Sequence, residues 1–236
     1  MIKTFTIDEV EFVLDTRPGR ERGVSTDNRF VLVKNDTCMN FYTNWVGEKP
    51  KTIMDVGLFE GGSIVLFDKL FRPERIVGLD LRRNPIQPLD KYASENPHMK
   101  IYYGHSQDKP ETLAAARQNF PNGIDLVVDD ASHLYEQTKA TFQMLFPMVS
   151  PGGVYVIEDW AWSFTAPQQR ADAPWAQKDA MANLIFEIVA MSAIYGVIES
   201  VKIDSAMVAI RKSTGKLPDA PFDLTPHLRG RQMTRI

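Results

Sequence analysis

Between residues 53 and 157, short apolar runs alternate with segments long enough to form helices. The runs at 53–57, 75–79, 100–103, 124–128 and 154–157 are built mainly from Val, Ile, Leu, Met and Tyr, and are bounded by glycines, prolines and acids. The segments 63–71, 111–119 and 135–148 carry apolar residues at helical spacing. Strands buried on both faces read as such continuous apolar runs, and parallel neighbours need a crossover, usually a helix. The pattern therefore predicts an α/β fold, an open parallel sheet with helices on both faces.

The pattern changes near its end. After a helix expected at 177–195, runs at 198–203 and 207–210 are joined by D-S-A alone, too short for a crossover, so these strands must be antiparallel. The expected architecture is Rossmann-like: a seven-stranded, mostly parallel sheet whose last strand runs antiparallel. Ahead of it, alternation at 10–14 and 30–34 brackets the turn-rich R-P-G-R-E-R-G-V-S-T-D-N. We read residues 1–40 as a small β-hairpin or cap, 41–212 as the main domain and 213–236 as a C-terminal tail, either a flexible end or a partner-facing arm. No repeat or linker divides the chain further.

Composition narrows the partners. The 236 residues carry a net charge of −3, with 44% hydrophobic and 24% charged residues. That is ordinary globular composition, with no general attraction for nucleic acid or an anionic membrane. Cys38 is the single cysteine, which excludes an internal disulfide and a thiolate zinc cluster and fits a reducing, cytoplasmic setting. The N-terminal M-I-K-T-F-T-I-D-E-V lacks the unbroken apolar core of a signal peptide. The most apolar stretch, 184–198, contains Glu187 and is too short to span a bilayer.

Acidic residues stand at the ends of two of the apolar runs. D-L-V-V-D-D-A-S-H puts Asp129, Asp130 and His133 after one, and V-Y-V-I-E-D-W puts Glu158 and Asp159 after another. Carboxylates there are costly unless they pair, hydrogen-bond or hold a metal. Open α/β sheets bind ligands at this edge. Neighbouring residues at a strand end point in different directions, so Asp129 or Asp130 can face such a site; we favour Asp130. The glycine turn D-V-G-L-F-E-G-G-S at 55–63 is neither G-x-G-x-x-G nor a P-loop. With Asp80 ending the next run, where an acid can accept both hydroxyls of a ribose, it points to an adenosine-containing cofactor.

On D-V-G-L-F-E-G-G-S, Asp80, D-D-A-S-H and E-D-W, residues 50–212 resemble the class I S-adenosylmethionine-dependent methyltransferases, and within them the metal-dependent sugar O-methyltransferases of macrolide biosynthesis. The resemblance implies that Asp130, Glu158 and Asp159 hold Mg²⁺ and that His133 is the catalytic base. It further implies that Asp55, Gly57, Gly61, Ser63, Asp80, Ser106 and Asp130 meet S-adenosylmethionine. In the family's G-D-S-x-D pattern this chain has Gly104-His105-Ser106-Gln107-Asp108. The implied partner is a small-molecule hydroxyl acceptor, a sugar or glycoside, and the implied assembly a homo-oligomer. Two other readings remain open: methyl transfer to a catechol-like acceptor, and a cofactor-binding accessory protein without catalysis.

The roles make chemical sense. Mg²⁺ prefers carboxylate, water and substrate oxygens. A sugar hydroxyl does not ionise near neutral pH, so its alkoxide needs metal stabilisation and a base such as histidine, with pKa ~6.5. Trp160, Trp162, Phe164 and Trp175 follow the second acidic strand. They form either an acceptor-contacting lid or plain packing.

Overall fold

A computed structural model describes residues 2–17, 21–45, 47–173, 176–194, 196–215 and 222–224. The chain opens with β1 (Ile2–Ile7) and β2 (Val10–Asp15), paired antiparallel around a tight turn at Asp8 and Glu9. Both turn residues have positive φ, 45° and 66°, as a two-residue hairpin turn requires. β3 (Arg29–Leu32) pairs parallel to β2, making a three-stranded sheet in which only the β1–β2 part is a hairpin. α1 (Asp36–Thr43) follows, its first turn capped by the Asn35 side chain, which accepts from Cys38 N at 2.9 Å.

The main sheet is built from β4 (Thr52–Val56), β5 (Arg75–Asp80), β6 (Met99–Tyr103), β7 (Ile124–Asp129), β8 (Val149–Glu158), β9 (Ile198–Ile203) and β10 (Met207–Lys212), in the order β6-β5-β4-β7-β8-β10-β9. β6, β5, β4, β7 and β8 are parallel, and β10 runs antiparallel to both β8 and β9. The expected α/β architecture with a reversed last strand is thus present. The crossovers are α2 (Gly62–Phe71), α3 (Gln87–Glu95), α4 (Pro110–Asn119), α5 (Tyr135–Leu145) and α6 (Met181–Ile194). Sequence periodicity did not single out α3, because only Leu89 and Tyr92 of its nine residues are buried. S-P-G-G, ahead of the apolar run at 154–157, lies inside β8, where Gly152 takes φ 80° and the pairing with β7 shifts register.

Two apolar layers flank the sheet. One packs β2, β3, α1, α2 and α3 on one face; the other packs α4, α5 and α6 on the opposite face. Each fully buried Leu, Ile or Phe in these layers contributes roughly 1.5–3 kcal/mol. The small sheet sits directly on the main domain: a Cβ at Gly62, the first residue of α2, would lie 2.1 Å from the Val31 carbonyl oxygen. That contact brings the end of β3 over the sheet's carboxyl edge.

Of the tail, residues 222–224 are described, and they dock on the domain. Phe222 packs at a tilt against Phe142 and Phe146, Gln143 Nε2 donates to Asp223 Oδ1 at 3.1 Å, and Leu224 is fully buried. The rest of the tail beyond residue 215 lies outside the described residues, as do Trp175 and the side chain of Trp162. Among the described residues no helix is long and apolar enough to cross a membrane.

Candidate active site

The carboxyl ends of β4, β5, β7 and β8 meet at one edge. Alternation along β7 settles where its two acids go. Asp129 points into the interior, where it accepts from Tyr155 Oη at 3.0 Å and Gln107 Nε2 at 3.2 Å, and burial pushes its pKa up to about 7. Asp130 turns the opposite way. One of its oxygens lies 3.1 Å from Lys34 Nζ and the other 4.0 Å from His133 Nε2.

Asp159, the residue after β8, completes a group with Asp130 and His133 in which one ligand atom from each lies within 4.8 Å of the others. Burial pushes the Asp159 carboxyl up, while the nearby His133 pulls it back. His133 and Asp159 both hold left-handed backbone, φ 55° and 53°, which costs a non-glycine residue roughly 1–2 kcal/mol. Such strain gathers where side-chain direction matters. The Asp159 N–H donates to Ala206 O at 2.7 Å, fastening that turn to the start of β10.

Glu158 stands apart from this group. Both its oxygens accept from Lys34 Nζ at 2.7 Å, and Oε1 also accepts from Tyr42 Oη at 2.6 Å. Burial pushes Glu158 up, opposed by Lys34; burial works against the Lys34 charge, yet Asp130, Glu158 and Asp55 outweigh it and hold the ammonium well above its ordinary value. Lys34 and Tyr42 were not among the residues expected at the site. Lys34 ends the apolar run F-V-L-V-K, the same costly pattern of a charge closing a strand that marked the acids.

Beside this group lies a cleft of about 580 Å³ lined by Gly57, Asp80, Ser106 and Asp130 together with Phe59 and Leu81. Asp80 is held by the glycine turn: Oδ2 accepts from Leu58 N at 2.9 Å and Phe59 N at 3.2 Å, and Oδ1 from Arg82 N at 2.8 Å. Phe59 and Leu81 are exposed apolar side chains at its rim. Gly57, at φ 96°, lets the chain after β4 pass the end of β7, since a Cβ there would lie 2.4 Å from the Asp130 carbonyl oxygen. Asp55, Gly61 and Ser63 are not among the cleft's lining residues. Asp55 is fully buried and accepts from Ser63 Oγ at 2.6 Å, while Gly61 caps α2 in left-handed backbone against Leu89.

A second cleft, about 350 Å³, is lined by His133, Leu134, Phe164, Arg170 and Lys178 among others. Leu134 lines both clefts. The 161–173 segment thus forms one wall of the second cleft, although Trp160 itself donates from Nε1 to Asp204 O at 2.8 Å and packs against Phe164.

Residues 54–160, spanning β4 to just past β8, match the family described as "Methyltransferase domain". The middle of the chain is thus similar to a methyltransferase domain. Its seven-stranded sheet with a reversed last strand is the class I methyltransferase fold. The demethylmacrocin O-methyltransferase of Streptomyces fradiae is 35% identical over 99 residues, 42% of this chain and 23% of that protein. An 8-demethyl-8-alpha-L-rhamnosyl tetracenomycin-C 2'-O-methyltransferase of Streptomyces olivaceus is 31% identical over 119 residues, 48% of this chain and 29% of that protein. The match therefore spans under a third of the length of these relatives. Among solved structures, the MycE methyltransferase of the mycinamycin pathway, in complex with Mg, S-adenosylhomocysteine (SAH) and mycinamycin VI, superposes with TM-score 0.54 at 24% identity, over 78% of this chain and 50% of that one. At this identity the likeness is one of fold.

Proposed function

We propose that the chain is an S-adenosylmethionine- and Mg²⁺-dependent O-methyltransferase acting on a hydroxyl of a sugar or glycoside. One observation carries this reading: the Asp130–His133–Asp159 group stands between two clefts, Asp130 lining the first and His133 the second. The first cleft fits an adenosine cofactor. Asp80 offers carboxylate oxygens suited to a ribose diol, and Phe59 and Leu81 offer apolar surface to a flat ring. The acidic group fits Mg²⁺, since Asp130 and Asp159 bring hard oxygen donors to one spot. Relatives whose names specify O-methylation of demethylmacrocin and of a rhamnosyl tetracenomycin support a glycoside over a catechol.

When bound, S-adenosylmethionine supplies the electrophilic methyl group and Mg²⁺ stabilises negative charge on the acceptor oxygen. The protein does the rest. Asp80 holds the ribose, and the Gly57 turn fixes the distance between that cleft and Asp130. Asp130 and Asp159 hold the cation. His133, left to act through its imidazole because Mg²⁺ prefers oxygen, takes the proton from the acceptor hydroxyl. Phe164 and the 161–173 segment wall the acceptor cleft and limit water. As in the family resemblance, the proposal includes assembly into a homo-oligomer, which light scattering tests.

Calorimetric titration with S-adenosylmethionine and SAH, with and without Mg²⁺, tests the cofactor. Binding of neither would sink the proposal. A glycoside panel assayed beside catechols, with and without EDTA, tests acceptor and metal; turnover of catechols alone, or full activity after chelation, would overturn the respective part.

A further inference from the structure

Lys34 is heavily engaged at the site, and the methyltransferase reading gives it no role. It comes from the small N-terminal sheet, just after β3, and only 2% of its side chain is exposed. Its ammonium lies over the rings of Tyr42 and Phe67, 5.8 and 5.9 Å from their centroids. Its contacts go to both oxygens of Glu158 and to Asp130 Oδ2, which matches the three donors an ammonium has. Glu158 receives a further bond from Tyr42, so both its oxygens are engaged. Asp130 keeps Oδ1, on the His133 side, for another partner.

The geometry points to Lys34 as a positioning residue of the candidate metal centre. Its ammonium engages both Glu158 oxygens and Asp130 Oδ2, so Glu158 would stay out of the cation's ligand set and Asp130 and Asp159 would supply the carboxylates. The inference rests on the metal reading proposed above and departs from the three-carboxylate set implied by resemblance. An ammonium and a divalent cation sharing Asp130 repel one another, so Lys34 also weakens cation binding. The small sheet thereby sets how tightly the main domain holds its metal, through one side chain delivered across the Gly62–Val31 contact.

The test is Mn²⁺ binding to the full-length chain, followed by electron paramagnetic resonance, which reads occupancy independently of turnover. In Glu158→Gln, where the amide oxygen still accepts from Lys34 and Tyr42, affinity stays within about tenfold of wild type, whereas Asp159→Asn loses about 100-fold or more, beyond the usual effect of an outer-shell change. In Lys34→Met, which frees Glu158, Mn²⁺ binds more tightly. A loss of tenfold or more in Glu158→Gln, or unchanged or weaker binding in a folded Lys34→Met, overturns the inference while leaving the metal reading in place. Absence of Mn²⁺ binding by the wild type removes the metal reading and the inference with it. If Lys34→Met does not fold, Glu158→Gln decides alone.

Discussion

Lys34 Nζ lies 2.7 Å from each carboxylate oxygen of Glu158, joining residues 124 positions apart in the chain. This ion pair ties the N-terminal sheet to the end of β8. Removing one partner from a buried pair leaves an uncompensated charge and typically costs about 3–5 kcal/mol. Lys34→Met should lower unfolding free energy by that order, and Lys34→Met/Glu158→Gln should recover part of it. Urea denaturation measures both. Losses in Lys34→Met and Glu158→Gln that simply add in the double variant would show that the pair carries no coupling.

His133 should matter to turnover and little to cofactor affinity. General-base catalysis is worth about 10²–10⁴ in rate, so His133→Ala should reduce kcat by about that factor. SAH affinity by calorimetry should stay near wild type, because His133 lines the second cleft and not the first. A loss of cofactor binding equal to the loss in rate would contradict the role.

Asp55 should make stability depend on pH. Burial raises its folded-state pKa to about 8, against about 4 in the unfolded chain. Between those values the folded state holds a proton that the unfolded chain has released. Stability from this group is therefore fully present below about pH 4 and is lost as pH rises through about 8, with a slope of at most about 1.4 kcal/mol per pH unit. Asp129, raised by burial to about 7, acts in the same sense. Denaturation at pH 5 and pH 8.5 should show the wild type weaker at the higher pH and Asp55→Asn with a flatter profile. An unchanged slope in the variant would refute the assignment.

Gly57→Ala should be among the most damaging small substitutions. It places a Cβ 2.4 Å from the Asp130 carbonyl oxygen in a residue at φ 96°. The backbone term alone is roughly 1–2 kcal/mol, and either β4 or the Asp130 turn must move. We expect a loss of at least about 2 kcal/mol in thermal or chemical denaturation, together with weaker binding of SAH. Wild-type stability and affinity in this variant would mean that the two strand ends are not packed as described.

Local pattern was enough for much of this protein. Five apolar runs with helical segments between them dictated parallel strands with crossovers, and the D-S-A connection at 204–206 dictated the reversed β10, because hydrogen-bond geometry and chain length leave no other option. The acids at 129–130 and 158–159 marked the ligand edge, since charge at the end of a buried strand demands a partner. Which partner was not a local matter. Strand alternation turned Asp129 toward Tyr155 and Asp130 toward His133. Lys34 reached Glu158 only because β3 packs over α2, a contact between segments distant in sequence. The elements follow from short-range periodicity; the division of the acids into ion pair, buried acid and candidate metal group follows from long-range packing, which brings buried carboxylates the donors that offset their desolvation.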